Sequence, residues 1–434
     1  MSPITTGIIG IIVLVIIFLL QMPVGFAMAL VGFIGFSILT SLDAGLSILA
    51  RDVFHVFSSY SLTVIPMFVF MGCIAFASGM SSRLYDASYL ILGRMRGGLA
   101  MATVAACAGF AAICGSTNAT AAAMGKVALP EMKRFGYSDS LATGSVAAAG
   151  SLGILIPPST IFIVYGILTE QSIGKLFISG VFPGLILTLF FIIVVALLCW
   201  RNPEIAPAGP SSSMKAKIGG MVGVLETLVL FGLVISGLFL GIFSPTQAGG
   251  AGAAGALIIG LARRQLSWQG FLGAVKDTLA ISCMVMIIVT GATVFGHFIA
   301  VAKIPMLLSE WVAGLPIPAA AVIGIIVLMY LVGGCFMDAL ALITLTVPII
   351  FPVVSMLGYD PIWFGVIIVL VTEMGVITPP VGINVYVIKG IAVDVPLETI
   401  FKGIFPFLGA QFATIILLIM FPQIATFLPG LTTY

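Results

Sequence analysis

Apolar residues run along this chain in blocks of about 20, divided by short stretches rich in Gly, Pro, Ser and charge. A helix of that length covers about 30 Å, the hydrocarbon thickness of a bilayer, so each block is a candidate spanning segment. The pattern predicts crossings at roughly 4–21, 24–41 and 61–79, then a longer pair at 98–134 with a polar centre, then 138–168 and 174–200. A second series follows at roughly 221–242, 245–262, 277–300, 316–353, 361–388 and 400–428. Two stretches between blocks, 42–60 and 263–276, mix charge with apolar and aromatic residues. They are predicted as helices lying in the membrane interface, with a solvated loop as the alternative.

The two series correspond. Residues 136–158 read GYSDSLATGSVAAAGSLGILIPP and residues 358–380 read GYDPIWFGVIIVLVTEMGVITPP, so Gly-Tyr and Pro-Pro recur at an offset of 222. The same offset pairs Pro23 with Pro245 and Pro130 with Pro352. Glycine and proline set backbone shape, so their coincidence is informative where apolar identity is not. The chain is read as two repeats, 1–200 and 221–434, joined by a Pro/Ser-rich linker at 201–220.

Charge adds orientation. Arg83, Arg94 and Arg96 precede the 98–134 block, and Lys126, Lys133 and Arg134 follow its polar centre. A simple crossing would place positive ends on both sides, against the bias of Lys and Arg toward the cytoplasm. A re-entrant hairpin that enters and leaves on the cytoplasmic side avoids this. The matching block, 316–353, contains no Lys or Arg, so its hairpin is expected to open outside. The repeats are then of inverted topology, each with a re-entrant hairpin and a broken helix (138–168 and 361–388), and both termini are expected on the outer face. The N-terminus has no basic n-region and no small-residue cleavage site, and it reads as a first spanning helix.

Composition agrees: of 434 residues 61% are hydrophobic and only 7% charged, too little polar surface for a soluble fold. Net charge is +2, and no nucleic-acid partner is expected. The lipid bilayer is the expected surroundings. Six cysteines lie in apolar segments without a CxxC pair and read as packing residues.

The chemistry is at the polar centres and the breaks. CGSTNATAAAMG (114–125) sets Ser116, Thr117, Asn118 and Thr120 at membrane depth with no charge beside them. GSLGILIPPS and EMGVITPPVG should interrupt their helices, because proline lacks an N–H and clashes with the preceding turn. Irregular backbone at this depth survives only inside protein or around a cavity. Broken helices of inverted repeats that meet near the midplane describe a secondary transporter. Sodium, a hard cation that accepts neutral oxygens, suits a first site of Ser116, Thr117, Asn118 and Thr120 with carbonyls near Gly153 and Pro157. Asp338 stands at the position equivalent to Ser116 and is the acidic residue of the second hairpin. With Gly334, Thr344 or Thr346, and the backbone around Gly375, Thr378 and Pro379, it forms the expected second site. For each Ser or Thr the structural alternative is a hydroxyl bonded back to its own helix.

The stretches GSTNATAAAMGKVALPEMKRFGYSDSLATGSVAAAGSLGILIPPS and MDALALITLTVPIIFPV with GYDP and MGVITPPVGINVYV resemble the large membrane subunit of tripartite ATP-independent periplasmic (TRAP) transporters, along essentially the whole chain. The resemblance implies an inner-membrane permease that imports a small organic acid, a carboxylate or sialic acid. It implies a sodium gradient as the driving force and an elevator movement. It also implies two partners, a periplasmic substrate-binding protein and a small four-helix membrane subunit, expected here as a separate chain. Ser159, Lys303 and Asn384 are the candidate substrate contacts, with Lys303 meeting a substrate carboxylate and a snorkelling anchor as its alternative.

The rival readings are a membrane-embedded enzyme, a channel, and a sodium- or proton-coupled anion carrier that needs no partner. The enzyme is disfavoured. Of the two histidines, His55 sits in the predicted interfacial stretch and His297 near a predicted span end, and there is no HExxH or paired-aspartate motif.

Overall fold

A computed structural model describes residues 2–209 and 214–432 of the chain. Among the described residues it is helical throughout, with no strand. The first half carries α1 (Pro3–Leu19), α2 (Val24–Leu39), α3 (Leu42–Ser58), α4 (Val64–Ala77), α5 (Met80–Leu92), α6 (Gly98–Cys114), α7 (Thr117–Arg134), α8 (Asp139–Ser151), α9 (Thr160–Thr169) and α10 (Ile173–Arg201). The second half carries α11 (Met214–Phe239), α12 (Pro245–Ala262), α13 (Trp268–Val301), α14 (Ile304–Ala313), α15 (Ala319–Gly334), α16 (Ala339–Met356), α17 (Pro361–Ile377), α18 (Ile383–Ile391), α19 (Leu397–Met420) and α20 (Gln423–Gly430).

Serines scattered between apolar runs start these helices. The side chains of Ser41, Ser116, Ser138, Ser159, Ser172 and Ser267 each accept a hydrogen bond from a backbone N–H of the first turn. Such a cap satisfies one of the N–H groups a helix start leaves open. Asp338 and Asp360 do the same for α16 and α17. Most threonine hydroxyls inside helices bond back to the carbonyl one turn earlier, as Thr103 and Thr188 do.

A shift of 222 residues carries α7 onto the bounds of α16, and brings α2, α5 and α9 to within two residues of α12, α14 and α18. The halves differ at one joint. In the first half α3 and α4 are separate and bent by 54°. In the second half the corresponding residues form the single helix α13. The stretch 263–276, expected as an interfacial segment, is therefore largely the first turns of a helix that continues to Val301. Pro66 sits in the first turn of α4, whereas the equivalent position in α13 is Ile288, so no breaker interrupts that helix. Three short helices, α5, α14 and α20, fall outside the expected spans or split them. α11 begins inside the segment read as linker, and residues 210–213 of that segment lie outside the described residues.

Four of the described helices are long and apolar enough to cross a membrane, or five if α3 and α4 make one bent span. Several others are apolar but only 10–17 residues long, so the ten expected crossings are not ten long helices. α17 lies at the centre: every residue from Ile362 to Ile377 is buried. α8 is buried from Leu141 to Ser151. α6, α7, α10, α15, α16 and α19 pack around this pair. α2, α4, α11, α12 and α13 pack mainly among themselves and with α5. Large apolar side chains of α1, α2, α10 and α11 point outward, as a lipid-facing surface requires.

Candidate functional site

The first polar centre is the turn between α6 and α7. Gly115 closes α6 with φ of 65°, the left-handed region where glycine is favoured. A side chain there would also sit 2.5 Å from the carbonyl oxygen of Pro158, so the turn is pressed against the break in the 138–168 segment. Thr160 fastens the two by donating to the Gly115 carbonyl at 3.2 Å. Gly153 lies against the Ser116 carbonyl and the Thr120 hydroxyl, at 2.5 and 2.9 Å from where its missing Cβ would be. Thr120 Oγ1 also donates to the Ser116 carbonyl at 2.8 Å. The structure thus brings together Ser116, Thr120, Gly153 and the Pro157-Pro158 turn. Ser116 caps α7 through a long 3.5 Å bond, and Thr117 Oγ1 lies 3.5 Å from Asn118 Oδ1.

The second centre is the turn between α15 and α16. Asp338 caps α16, its Oδ2 accepting from the Leu340 N–H at 3.0 Å. Ser116 and Asp338, equated by the offset, therefore hold the same local position at their two turns. Gly334 and Gly375 are in direct backbone contact, which joins α15 to α17. Thr344 donates to the carbonyls of Leu340 and Ala341, and Thr378 to that of Met374. Thr346 bonds Tyr330 and the Leu342 carbonyl. The hydroxyl protons of these threonines are engaged within their own helices or turns.

Both turns open into one cavity of about 600 Å³. Ser116, Thr117 and Asn118 enter it from the first turn, and Asp338, Ala339 and Leu340 from the second. Its walls are single helix faces. α7 contributes Ala119, Ala122, Ala123 and Lys126, the spacing of one helical stripe. α13 contributes Gly270, Gly273, Ala274 and Asp277 in the same rhythm, and α4 adds Gly72, Cys73 and Phe76. Small side chains leave the space open. The charged groups that line it are Lys126, Asp277 and Asp338, from three different helices.

The three expected substrate contacts do not line this cavity. Lys303 is exposed and sits at the junction of α13 and α14 with φ of 59°, where it ends one helix and starts the next. Ser159 is buried and caps α9. Asn384 is buried and donates to the Ala147 carbonyl at 3.4 Å. Three other residues stand out instead. Lys126 and Asp277 face the cavity. Glu373 is fully buried in α17 and bonded to Ser151, the residue 222 positions earlier. The stripe of small residues ending in Lys126 was a readable signal for the first, since 119, 122, 123 and 126 share a helix face.

Chemically the cavity offers both charge signs. The N–H groups at the start of α7 and α16 carry partial positive charge and favour an anion, aided by Lys126. The carbonyl at the end of α6 and the Asp338 carboxylate favour a cation.

The family described as "Tripartite ATP-independent periplasmic transporter, DctM component" matches residues 11–424. A C4-dicarboxylate TRAP transporter large permease protein of Pseudomonas aeruginosa is 34% identical over 88% of this chain and 89% of its own length. A sialic acid TRAP transporter large permease protein of Vibrio cholerae is 30% identical over 94% of this chain and 95% of its own. An isethionate TRAP transporter permease protein of Oleidesulfovibrio alaskensis is 34% identical over 88% of this chain, which spans 60% of that longer protein. Among solved structures, the YdaH transporter of Alcanivorax borkumensis superposes with a TM-score of 0.63 at 14% identity, covering 88% of this chain and 90% of that one, a likeness of fold.

Proposed function

The chain belongs to the DctM component of the tripartite ATP-independent periplasmic transporters, and from that premise we propose that it imports a small organic anion together with sodium through the cavity between the two turns. It is a large permease subunit, not an enzyme. The observation that carries the reading is that one cavity is lined by both turns and holds Lys126, Asp277 and Asp338.

In this reading the substrate carboxylate sits against the N-terminal N–H groups of α7, with Ser116, Thr117 and Asn118 as hydrogen-bonding partners and Lys126 as counter-charge. Named relatives carry C4-dicarboxylates and sialic acid, so the substrate proposed here is of that class. Sodium takes the Ser116 carbonyl, Thr120 and the backbone at Gly153 as one site, and Asp338 as the anchor of a second. Binding anion and cation together lowers the cost of bringing each into a low-dielectric place. In this reading the halves are of inverted orientation, with the first hairpin on the cytoplasmic side and both termini outside. The cavity-facing stretch of α13 from Gly270 to Ala274 is small, as are Gly72 and Cys73 of α4, and the movement proposed is an elevator shift of the turns and α8–α9 past these two helices. A periplasmic binding protein delivers the substrate, and a small membrane subunit braces the static helices.

The test is uptake into liposomes holding this chain, the small subunit and the binding protein, with initial rate read against sodium concentration. Asp338→Asn should raise the sodium concentration for half-maximal rate by roughly tenfold or more, the loss expected for a charged ligand. Asp338→Ser copies the first turn's cap and should keep the protein stable while showing the same sodium defect. Sodium-independent uptake by the wild type, or unchanged sodium dependence in both variants, overturns the reading. Full uptake by this chain without either partner would favour the self-sufficient carrier.

A further inference from the structure

A second cavity, of about 450 Å³, lies where α5, α6, α10 and α11 meet and shares no lining residue with the one between the turns. Its inner wall is the stripe Ala105, Ala108, Gly109 and Ala112, one face of α6. These side chains are too short to fill the space they face. Three wall residues carry hydroxyls, and each is engaged inside its own helix. Ser88 donates to the Leu84 carbonyl at 2.8 Å, Thr188 to that of Gly184 at 2.7 Å and Thr227 to that of Gly223 at 3.5 Å. The other lining residues are apolar, and Ile91, Leu185 and Leu228 among them are about half exposed. The cavity offers water almost nothing to bond, and a space of that kind takes up apolar matter or stays dry. Its exposed rim continues the outward apolar surface of α10 and α11, so it opens to the hydrocarbon of the bilayer.

One end of this groove carries charge of a single sign. Leu92, which ends α5, lines it, and the loop that follows reads Gly-Arg-Met-Arg-Gly at 93–97. Gly97 packs on α10: its missing Cβ would lie 2.5 Å from Cys199 Sγ and 3.0 Å from the Val195 side chain. The end of α10, with Trp200 and Arg201, therefore stands beside the loop. Arg94, Arg96 and Arg201 are exposed, and among the described residues none of them is in an ion pair. Glu204, in the short turn after α10, pairs with none of them. Arg83, near the other end of α5, is by contrast held by Glu226. Met95 is 51% and Trp200 79% exposed beside these arginines. Exposed tryptophan next to arginine marks the level where the apolar core of a bilayer gives way to headgroups. Three unpaired cations at that level, at the end of an apolar groove, complement an anionic headgroup whose tail runs inward.

We propose that this groove binds an anionic phospholipid, with one acyl chain lying along the small-residue face of α6 between α10 and α11 and the phosphate held by Arg94, Arg96 and Arg201. A neutral lipid fills the groove and leaves the arginines unanswered. A free phosphate answers the arginines and leaves the groove empty. An anionic phospholipid does both. Because α6 is one arm of the first hairpin, the bound chain gives that arm a fluid apolar neighbour on this side in place of a close-packed helix. The site does not depend on which solute the larger cavity carries.

The test is photolabelling of the purified full chain in phosphatidylcholine nanodiscs. The probe is a phosphatidylglycerol with a diazirine on its acyl chain, present as a minor component, and a phosphatidylcholine with the same diazirine is the control. Labelled peptides are located by mass spectrometry. The phosphatidylglycerol probe should label the walls at 105–112 and 224–231 well above the control. The outward side of α1, a plain lipid-facing surface, should be labelled equally by both. Arg94→Gln, Arg96→Gln and Arg201→Gln together should raise the phosphatidylglycerol probe concentration needed for half-maximal wall labelling by about 10–100-fold, as expected for three charges near the membrane surface, and leave α1 unchanged. These three side chains are exposed, so the thermal midpoint should stay at the wild-type value. Ala108→Leu fills the groove and should remove wall labelling by both probes, with Ala105→Leu as the second variant if the first is poorly produced. Equal wall labelling by the two probes in the wild type, or wall labelling that survives both the arginine and the filling changes, would overturn the proposal. Loss of wall labelling on adding the small membrane subunit would make the groove a subunit interface and overturn it as well.

Discussion

Gly375→Ala should destabilise the protein although it places a good helix former inside a helix. A Cβ on Gly375 would lie 2.6 Å from the Gly334 Cα, 2.7 Å from its carbonyl carbon and 3.1 Å from the Cys335 nitrogen. All three are backbone atoms, so no side-chain rotation relieves the contact. Carbon atoms in contact rest about 3.5–4.0 Å apart, so α15 would have to retreat by roughly 1 Å from α17. Overpacking of this kind costs about 1–3 kcal/mol. The intrinsic gain of Ala over Gly in a helix is at most about 1 kcal/mol. Three simultaneous backbone contacts put this site at the upper end of that range, about 2–3 kcal/mol, so a net loss of about 1–2 kcal/mol remains. Gly334→Ala is milder, since its Cβ would meet Gly375 Cα at 3.1 Å and the Thr372 carbonyl oxygen at 3.2 Å. Gly390→Ala meets nothing within 4 Å and should be neutral or slightly favourable. The assay is the thermal midpoint of the purified variants in one detergent, with the expected order Gly375→Ala lowest, then Gly334→Ala, then wild type and Gly390→Ala. A Gly375→Ala protein as stable as wild type would refute the close approach of α15 and α17. The two glycines would then be left with only the sodium role first considered for them.

Lys126→Gln should weaken substrate affinity by roughly 10–100-fold in KM for uptake, the range for losing a charged hydrogen bond, while Lys303→Gln leaves KM unchanged; equal effects of the two would remove Lys126 from the cavity's chemistry. Glu226 receives both Arg83, at 3.0 Å, and Arg263, with its side chain only 11% exposed. Glu226→Gln should lower stability by about 2–3 kcal/mol, seen as a lower thermal midpoint, because it leaves two guanidinium groups without their anion. Lys133 and Asp394 are paired at the surface, which holds the Asp394 carboxyl below its ordinary value and raises Lys133. Their contribution is therefore present at neutral pH. It is lost on the acid side as pH falls through the lowered Asp394 value, and on the alkaline side as pH rises through the raised Lys133 value. The difference in thermal midpoint between wild type and Lys133→Gln should vanish at acid pH and in high salt.

The helices, the two turns and the Pro-Pro breaks were legible because each rests on local chemistry. Apolar length marks a helix, a serine marks its start, and proline marks its interruption. The offset of 222 was legible for the same reason, and Ser116 and Asp338 fell where it placed them. What depended on which way a helix faces was not legible. Lys126 ends a stripe of small residues that marks a helix face, and Lys303 follows an apolar run, but only packing shows that the stripe looks into the cavity while Lys303 ends a helix at the surface. Residues 263–276 look interfacial in isolation, because their charges are near aromatic residues. Their helical continuation depends on the missing breaker at Ile288. Glu373 stands in the quoted EMGVITPP motif, yet attention there goes to the backbone, and its partner Ser151 lies half a chain away.

Polar groups in an apolar chain can be sorted by what the fold already asks of them. Serines that cap helices and threonines bonded back one turn are accounted for by helix starts and helix interiors, and they need no ligand. Applied here, that subtraction removes Ser159, Thr344 and Thr378, each engaged in its own turn or helix. It weakens but does not remove Ser116, whose capping bond is long, at 3.5 Å. It leaves Asn118, Lys126 and Asp277 facing the cavity, and Glu373 in the core. Asp338 falls between the classes. A serine suffices to cap the equivalent helix, so capping alone does not require a carboxylate at the second turn. The extra charge is the part of Asp338 that the fold leaves over, and a neutral cap such as Asp338→Ser isolates it from the structural part.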